Sequence, residues 1–374
     1  MKLNSKKQLR IDILSQYIGG KLYYLDAIRA LEISERQFRR LVVDFKKNGI
    51  QSVIHKNTGK VPPNKLVDGR RTKIIRLYKT IYKGMNVTHF MEKLREVENI
   101  EPPSYSTVRK MLLSENLISP TIKRKRKPYP RRQRYEREGL MVQIDGSHHR
   151  WIPGLLPCCL TIGVDDATGK ILGGMFTKTE TTFAAMNVVE QTIENHGLFQ
   201  MLYSDRAGIY GDQKREGYSN MNRAMRELGI IPVQAYTPQA KGRVERLFKT
   251  LQSRLLHEMI LAGVKTLEQA NAFLISYLPK FNEQFGVPAK CSDVAYRKLP
   301  EKVNLDEVFT MVQHRKVQAG EVVAHKSVKY VLQYPKTLVG HDADIKFYRD
   351  GRMEIHVLGE RIDFDFLDEV KKAA

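Results

Sequence analysis

From Gly139 onward the hydrophobic periodicity settles into alternation, and it later switches repeatedly between steps of two and steps of three to four. That succession limits the fold more than any other feature of the chain. MVQIDGSHHRWI reads as a strand, and CCLTIGVDDATGKILGGMF as two strands around an Asp-Ala-Thr-Gly turn. Thr182–His196 reads as a helix, with Ala184, Val188, Val189 and Ile193 on one side. FQMLYSDRAG is then a strand ending in Asp205, Asn220–Leu228 a helix, and IIPVQAY a strand. Three consecutive strands followed by βα units predict a mixed five-stranded sheet with helices on its faces, filling residues 139–290.

The stretch PQAKGRVERLFKTLQSRLLHE, from Pro238 to Glu258, follows the fifth strand. Val244, Leu247, Phe248, Leu251 and Leu255 recur at helical steps and form one apolar stripe. Glu245 falls on the flank of that stripe, and Lys249 and Gln252 share its side. Alone, this is an amphipathic helix with a solvated glutamate. Thr266–Phe285 reads as a further helix, interrupted near Pro279. Residues 312–366 alternate apolar and polar and carry an Asp350-Gly351 hairpin signal, which predicts a small β-barrel or open sheet.

The front of the chain has a different character. Residues 1–140 hold 33 Lys and Arg against 13 Asp and Glu, an excess of 20, whereas the remainder holds 30 against 28. So basic a front third is most simply a module for a polyanion. Residues 1–56 read as short helices, near Leu9–Ile18, at Tyr24–Leu31 and at Ser34–Asn48, the last capped by Ser34 and stopped at Asn48-Gly49. LEISERQFRRLVVDFKKNG fits the turn and second helix of a helix-turn-helix, burying Leu31, Phe38, Leu41, Val42 and Phe45. Arg36, Gln37, Arg39 and Arg40 would then face a DNA major groove. The competing reading of that pattern is a small helical bundle with a solvated basic face.

A turn-rich linker precedes a second helical unit at 70–120, with helices over Arg71–Lys83, Val87–Val97 and Ser104–Asn116. Residues 121–138 form a basic arm. Its run Lys123–Arg137 carries nine basic residues in fifteen, among them Lys123, Arg124, Lys125, Arg126, Lys127, Arg131 and Arg132, with two prolines. Such a segment cannot fold alone and is expected to lie on phosphates, or else merely to solubilise. Three cysteines without zinc-type spacing, no apolar run of membrane-spanning length and no signal peptide predict a reduced, cytoplasmic protein. There is no Walker A sequence, so no nucleotide cofactor is expected.

Asp145 lies in the first strand of the α/β region, Asp205 at the end of the fourth, and Glu245 in the first turns of the helix after the fifth. If the first and fourth strands are neighbours, both aspartates emerge at one sheet edge and the helix brings Glu245 over them. Three carboxylates so placed repel each other, and divalent cations remove the difficulty. Two Mg²⁺ ions about 3.5–4 Å apart stabilise both the attacking and the leaving oxygen of a phosphoryl displacement. Asp165 and Asp166 compete with Asp145 for the first position, but DDATGK reads as a hairpin turn, where Asp is favoured for local hydrogen bonds. His148 and His149 stand near enough for a phosphate contact or for ordinary polar filling.

The blocks QIDGS, LYSDRAG and PQAKGRVERLFKTLQ resemble the three signature blocks of the DDE transposases and retroviral-type integrases. The tail YLPKFNEQFGVP is similar to the segment after the core in bacterial insertion-sequence transposases, in particular the ISNCY-type group. The third block is the most specific, and the zinc module of retroviral integrases is absent. The resemblance implies an RNase H-like core in a multi-domain α+β chain, with helix-turn-helix units before it and a β-rich end similar to that of Mu transposase. It implies Asp145, Asp205 and Glu245 as ligands of two Mg²⁺ ions, which Mn²⁺ replaces, in a homo-oligomeric synaptic complex. Its substrates would be double-stranded DNA, both terminal inverted repeats and target, in a nucleoid-associated bacterial protein. Lys241, Arg243 and Lys249 would grip DNA near the cleaved end, the bland reading being a solvated basic face. Two other readings stand beside this one: a domesticated, catalytically silent DNA-binding regulator, and a structure-selective nuclease on the same fold.

Overall fold

The computed structural model describes residues 5–54, 68–119, 132–205, 219–234 and 242–367. The chain divides into two compact units, Met1–Lys73 and Ile74–Ala374. In the first, three helices, α1 (Ser5–Ile18), α2 (Tyr24–Leu31) and α3 (Glu35–Asn48), close around Phe38, with Ile11, Leu14 and Ala27 also buried. Tyr17 and Tyr24 meet the Phe38 ring edge-on at 5.0 and 5.5 Å. The predicted Ser34 cap is present as a full capping box with Gln37.

The larger unit begins within α4 (Asp68–Thr80) and continues through α5 (Val87–Glu96) and α6 (Tyr105–Ser114). Its central sheet comprises β1 (Met141–His149), β2 (Cys158–Asp165), β3 (Ile171–Thr177), β4 (Met201–Ser204) and β5 (Ile231–Gln234), in the order β3-β2-β1-β4-β5. β1 runs antiparallel to β2 and parallel to β4, so the expected mixed five-stranded sheet is present. Alternation along β1 assigns its faces. Val142 and Ile144 join the core of α7 (Thr182–His196) and α8 (Asn220–Glu227). The other face is covered by α9 (Gly242–Leu261) and α10 (Leu267–Phe285), with Leu160, Ile162, Val164 and Phe176 beneath. On the α7 side the backbones approach closely: a Cβ on Gly173 would stand 2.7 Å from the Val188 carbonyl oxygen.

A short α11 (Leu305–Val308) leads into six antiparallel strands, β6 (Met311–Lys316), β7 (Val322–His325), β8 (Val328–Gln333), β9 (Asp342–Phe347), β10 (Met353–Val357) and β11 (Glu360–Phe366). They form a barrel-like sheet of order β6-β9-β10-β11-β8-β7 around Val323, Ile345, Ile355 and Ile362. Gly351, at φ 90° between β9 and β10, realises the hairpin turn expected from Asp350-Gly351. The barrel is fastened to the core. Arg349 pairs with Glu190 of α7, Arg223 of α8 donates to the carbonyls of Val308 and Thr310, and Asn220 accepts from the Val312 amide.

One expectation needs correction. Pro279 does not interrupt its helix, because α10 is continuous from Leu267 to Phe285. The carbonyl that proline leaves without a donor belongs to Ile275, on the exposed side of the helix, where the residue is 72% exposed.

The second helical unit is also built onto the core, by buried charges that look like surface residues in the sequence. Arg254 of α9 forms two hydrogen bonds with Glu92 of α5, at 2.5 and 2.9 Å. Glu258 accepts from Lys93, and at 2.6 Å it meets His89 Nε2. Burial pushes the Glu258 carboxyl up, but the bonds and charges of His89 and Lys93 outweigh it and hold the group at about 2, against an ordinary 4.5. A depressed carboxyl stabilises the fold above its unfolded pKa, and that contribution disappears as pH falls through the folded value. Urea unfolding of the wild type and Glu258→Gln between pH 6 and 2 should therefore show a stability difference of roughly 3 kcal/mol at most. It should shrink as pH drops below about 4.5. A difference that does not change with pH would remove the network from the account of how α5 is held.

Candidate active site

Parallel pairing of β1 with β4 sets the site. The paired residues are Met141 with Met201, Val142 with Leu202 and Gln143 with Tyr203, a constant offset of sixty positions. Asp145 stands two positions past the last β1 residue of that ladder, and Asp205 two positions past its β4 partner. The two aspartates thus leave neighbouring strands at the same level and in the same direction. Both are half-buried, and Asp145 Oδ1 accepts from the Gly146 amide at 3.1 Å.

Helix α9 lies against β1 on the face to which Gln143, Asp145 and Ser147 belong. At one level Arg243 Nη1 and Gln143 Nε2 both donate to Asp166 Oδ1, each at 2.5 Å. At another, Gln252 Nε2 donates to Ser147 Oγ at 3.3 Å. Nine helical residues rise about 13 Å and four strand residues about 13 Å, so helix and strand run side by side in the same sense. Glu245 falls between the two ties, as Asp145 does on the strand. It is the acidic residue of the first turn, where the helix dipole favours it, and it is exposed.

Among the described residues no group of three His, Cys, Asp or Glu is gathered closely enough to hold a metal ion. Asp145 and Asp205 are brought to one edge, and Glu245 is carried alongside on α9 without closing on them. As a donor set, three carboxylates are hard oxygen ligands that suit Mg²⁺ or Mn²⁺ better than softer metals.

The remaining expected residues fall into three groups. Arg36, Gln37, Arg39 and Arg40 are exposed on α3, and Gln37, Arg39 and Arg40 share a groove with Arg10 and Lys47. Arg39 also donates to Tyr24 Oη at 3.0 Å and pairs with Glu35. Lys249 is exposed on α9, one turn past Glu245. Lys123, Arg124, Lys125, Arg126, Lys127, Arg131 and Lys241 lie outside the described residues. Arg132 and Arg243 both pair with the carboxylate of Asp166, which is 1% exposed, while Arg132 itself stays exposed. His148 is exposed, and His149 lies edge-on to Trp151.

Two residues take places that the sequence did not indicate. Asp165 alone serves the β2–β3 turn, accepting from the amides of Gly139 and Thr168 and from Thr168 Oγ1. That leaves Asp166 for the arginines, a role hinted at only by the doubling of the aspartate. Glu180 is the other: a Cβ on Gly146 would come within 2.8 Å of its Oε1 and 3.1 Å of Cys159 Sγ. Burial, and then the Glu180 charge, push the Cys159 thiol up to about 11. Cys158 is buried as well, whereas Cys291 is part-exposed. A chromogenic disulfide reagent at pH 8 should therefore titrate one thiol rapidly in the folded chain and three after denaturation. Rapid reaction of two or three thiols would mean that the start of β2 is open to solvent.

No family model matches the chain. A Sinorhizobium fredii protein named as a transposase, y4bF, is 31% identical over 372 residues, covering 96% of this chain and 80% of that protein. The transposase for insertion sequence IS1202 of Streptococcus pneumoniae is 33% identical over 368 residues, covering 87% and 77%. Among solved structures, a simian T-cell lymphotropic virus intasome in complex with PP2A regulatory subunit B56 gamma matches over 78% of this chain. It covers 98% of that one, with 12% identity and a TM-score of 0.37. The catalytic core domain of BIV integrase matches over 38% of this chain and 84% of that one, with 21% identity and a TM-score of 0.30. The chain belongs to the insertion-sequence transposases.

Proposed function

We propose that the protein is a metal-dependent DNA transposase that cuts at the ends of its element and joins the freed 3′-hydroxyl to target DNA. The observation that carries this reading is the common level of Asp145 and Asp205 on β1 and β4, with the Glu245 helix running beside them. Asp145, Asp205 and Glu245 would hold two Mg²⁺ ions, with Mn²⁺ as substitute. Bound there, the metal supplies positive charge to the attacking and leaving oxygens.

The chain's own part is positioning. The strand pair fixes two carboxylates on rigid backbone, and α9 supplies the third from a helix seated in the core. Catalysis of phosphoryl transfer is mostly such placement and charge neutralisation. Lys249 contacts the phosphate beside the cut, with Lys241 near it. The α3 surface of Arg36, Gln37, Arg39 and Arg40 reads the terminal repeat in its major groove. The second helical unit and the basic segment from Lys123 to Arg131 extend the phosphate contacts. Two element ends must meet in one complex, so the working form is a homo-oligomer.

The test is cleavage and joining of labelled element-end DNA in Mg²⁺ or Mn²⁺ by the wild type and Asp205→Asn. Asp205→Asn should bind the DNA as the wild type does and lose cutting and joining by about a thousandfold or more. If both bind and neither cuts, a catalytically silent regulator is the better reading. Equal cutting by both would remove Asp205 from the site.

A further inference from the structure

We infer that Asp166 is a positioning residue, whose buried carboxylate sets the distance between the strand carrying Asp145 and the helix turn carrying Glu245. The inference rests on the roles proposed above for those two residues. Its basis is a coincidence of spacing. Asp166 Oδ1 accepts from Gln143, two residues before Asp145, and from Arg243, two residues before Glu245. One oxygen atom thus joins the two elements at equal remove from their proposed ligands.

The rest of the environment shows that this carboxylate is committed to the junction. It is buried, and a buried charge is costly unless it is paired and hydrogen-bonded. Arg132 donates to the same oxygen, and the Tyr135 amide donates to Oδ2 at 3.0 Å. Arg243 donates onward to the carbonyl of Arg132, and Arg134 Nη1 to the carbonyl of Asp166 at 3.0 Å. The turn itself does not need the Asp166 side chain, because Asp165 caps it.

The first turn of α9 has few other anchors. A Cβ on Gly242 would meet nothing within 4 Å, Glu245 and Arg246 are exposed, and of that turn only Val244 is fully buried. Apolar packing of one residue leaves the turn free to fray or rotate. Arg243 on Asp166 removes that freedom. A neutral side chain at 166 would keep the shape of the turn between β2 and β3 while releasing the start of α9.

Amide hydrogen exchange of the full-length, metal-free chain tests this without reference to catalysis. Asp166→Asn should speed exchange over residues 243–248 by about tenfold or more, with residues 254–261 unchanged. Arg243→Gln should do the same, and the double variant should be no worse than either single one. Arg243 is partly exposed, so Arg243→Gln carries the test if Asp166→Asn proves unstable to heat. In DNA cleavage, either variant should need about tenfold more Mg²⁺ for half-maximal rate, with unchanged affinity for element-end DNA. Unaltered exchange at 243–248, or effects that simply add in the double variant, would overturn the inference. A wild-type-like Asp205→Asn would instead overturn the proposed site and leave the exchange result standing.

Discussion

Helix α9 buries Val244, Phe248, Leu251, Leu255 and Met259 against the β2–β3 side of the sheet, and apolar burial of this kind has no direction of its own. Five such side chains contribute on the order of 10 kcal/mol, enough to hold the helix down but indifferent to small slides along its axis. Direction comes from charged bonds at its two ends. Arg243 closes on Asp166 near the start, and Arg254 and Glu258 engage Glu92, His89 and Lys93 towards the finish. Gln252 adds a tie to Ser147 between them. The position of Glu245 relative to β1 follows from these ties more than from the apolar seam.

Both flanking modules of the larger unit are fastened to the core in the same manner. The α5 helix rides on the second half of α9, and the barrel sits on α7 and α8 through Arg349, Arg223 and Asn220. A bidentate guanidinium–carboxylate pair fixes orientation as well as distance. A force on the second helical unit would therefore be transmitted to α9 itself. Modules joined only by mobile linkers could not do that.

Periodicity made the elements legible because it reports burial directly: β1, α7 and the stripe of α9 fall where alternation or helical steps put them. The aspartates could also be placed on one edge from strand order alone. What could not be read was the pairing of charges. Glu92 and Arg254 are 162 residues apart, and Arg132 and Asp166 are 34 apart. In the sequence each looks like a solvated polar position on its own element. The bonds of Arg132 and Arg243 to Asp166 were hidden for the same reason, since a basic residue in a basic segment carries no mark of an internal partner. Pro279 misled in the other direction, because its cost depends on whether the freed carbonyl faces solvent.

The described residues define what pairs with the strand beside Asp145. β4 and β5 are described as strands to Ser204 and Gln234, while β1 continues to His149 with β2 as its partner on one side. Among the described residues, the ladder from β1 to β4 ends at Gln143. From Asp145 onward, the pairing of β1 among the described residues is with β2. An exposed strand edge is normally a hazard, inviting pairing with another chain. Beside Asp145, half-buried aspartates on both strands oppose another backbone settling there. The level that the two aspartates share follows from the parallel register of β1 and β4.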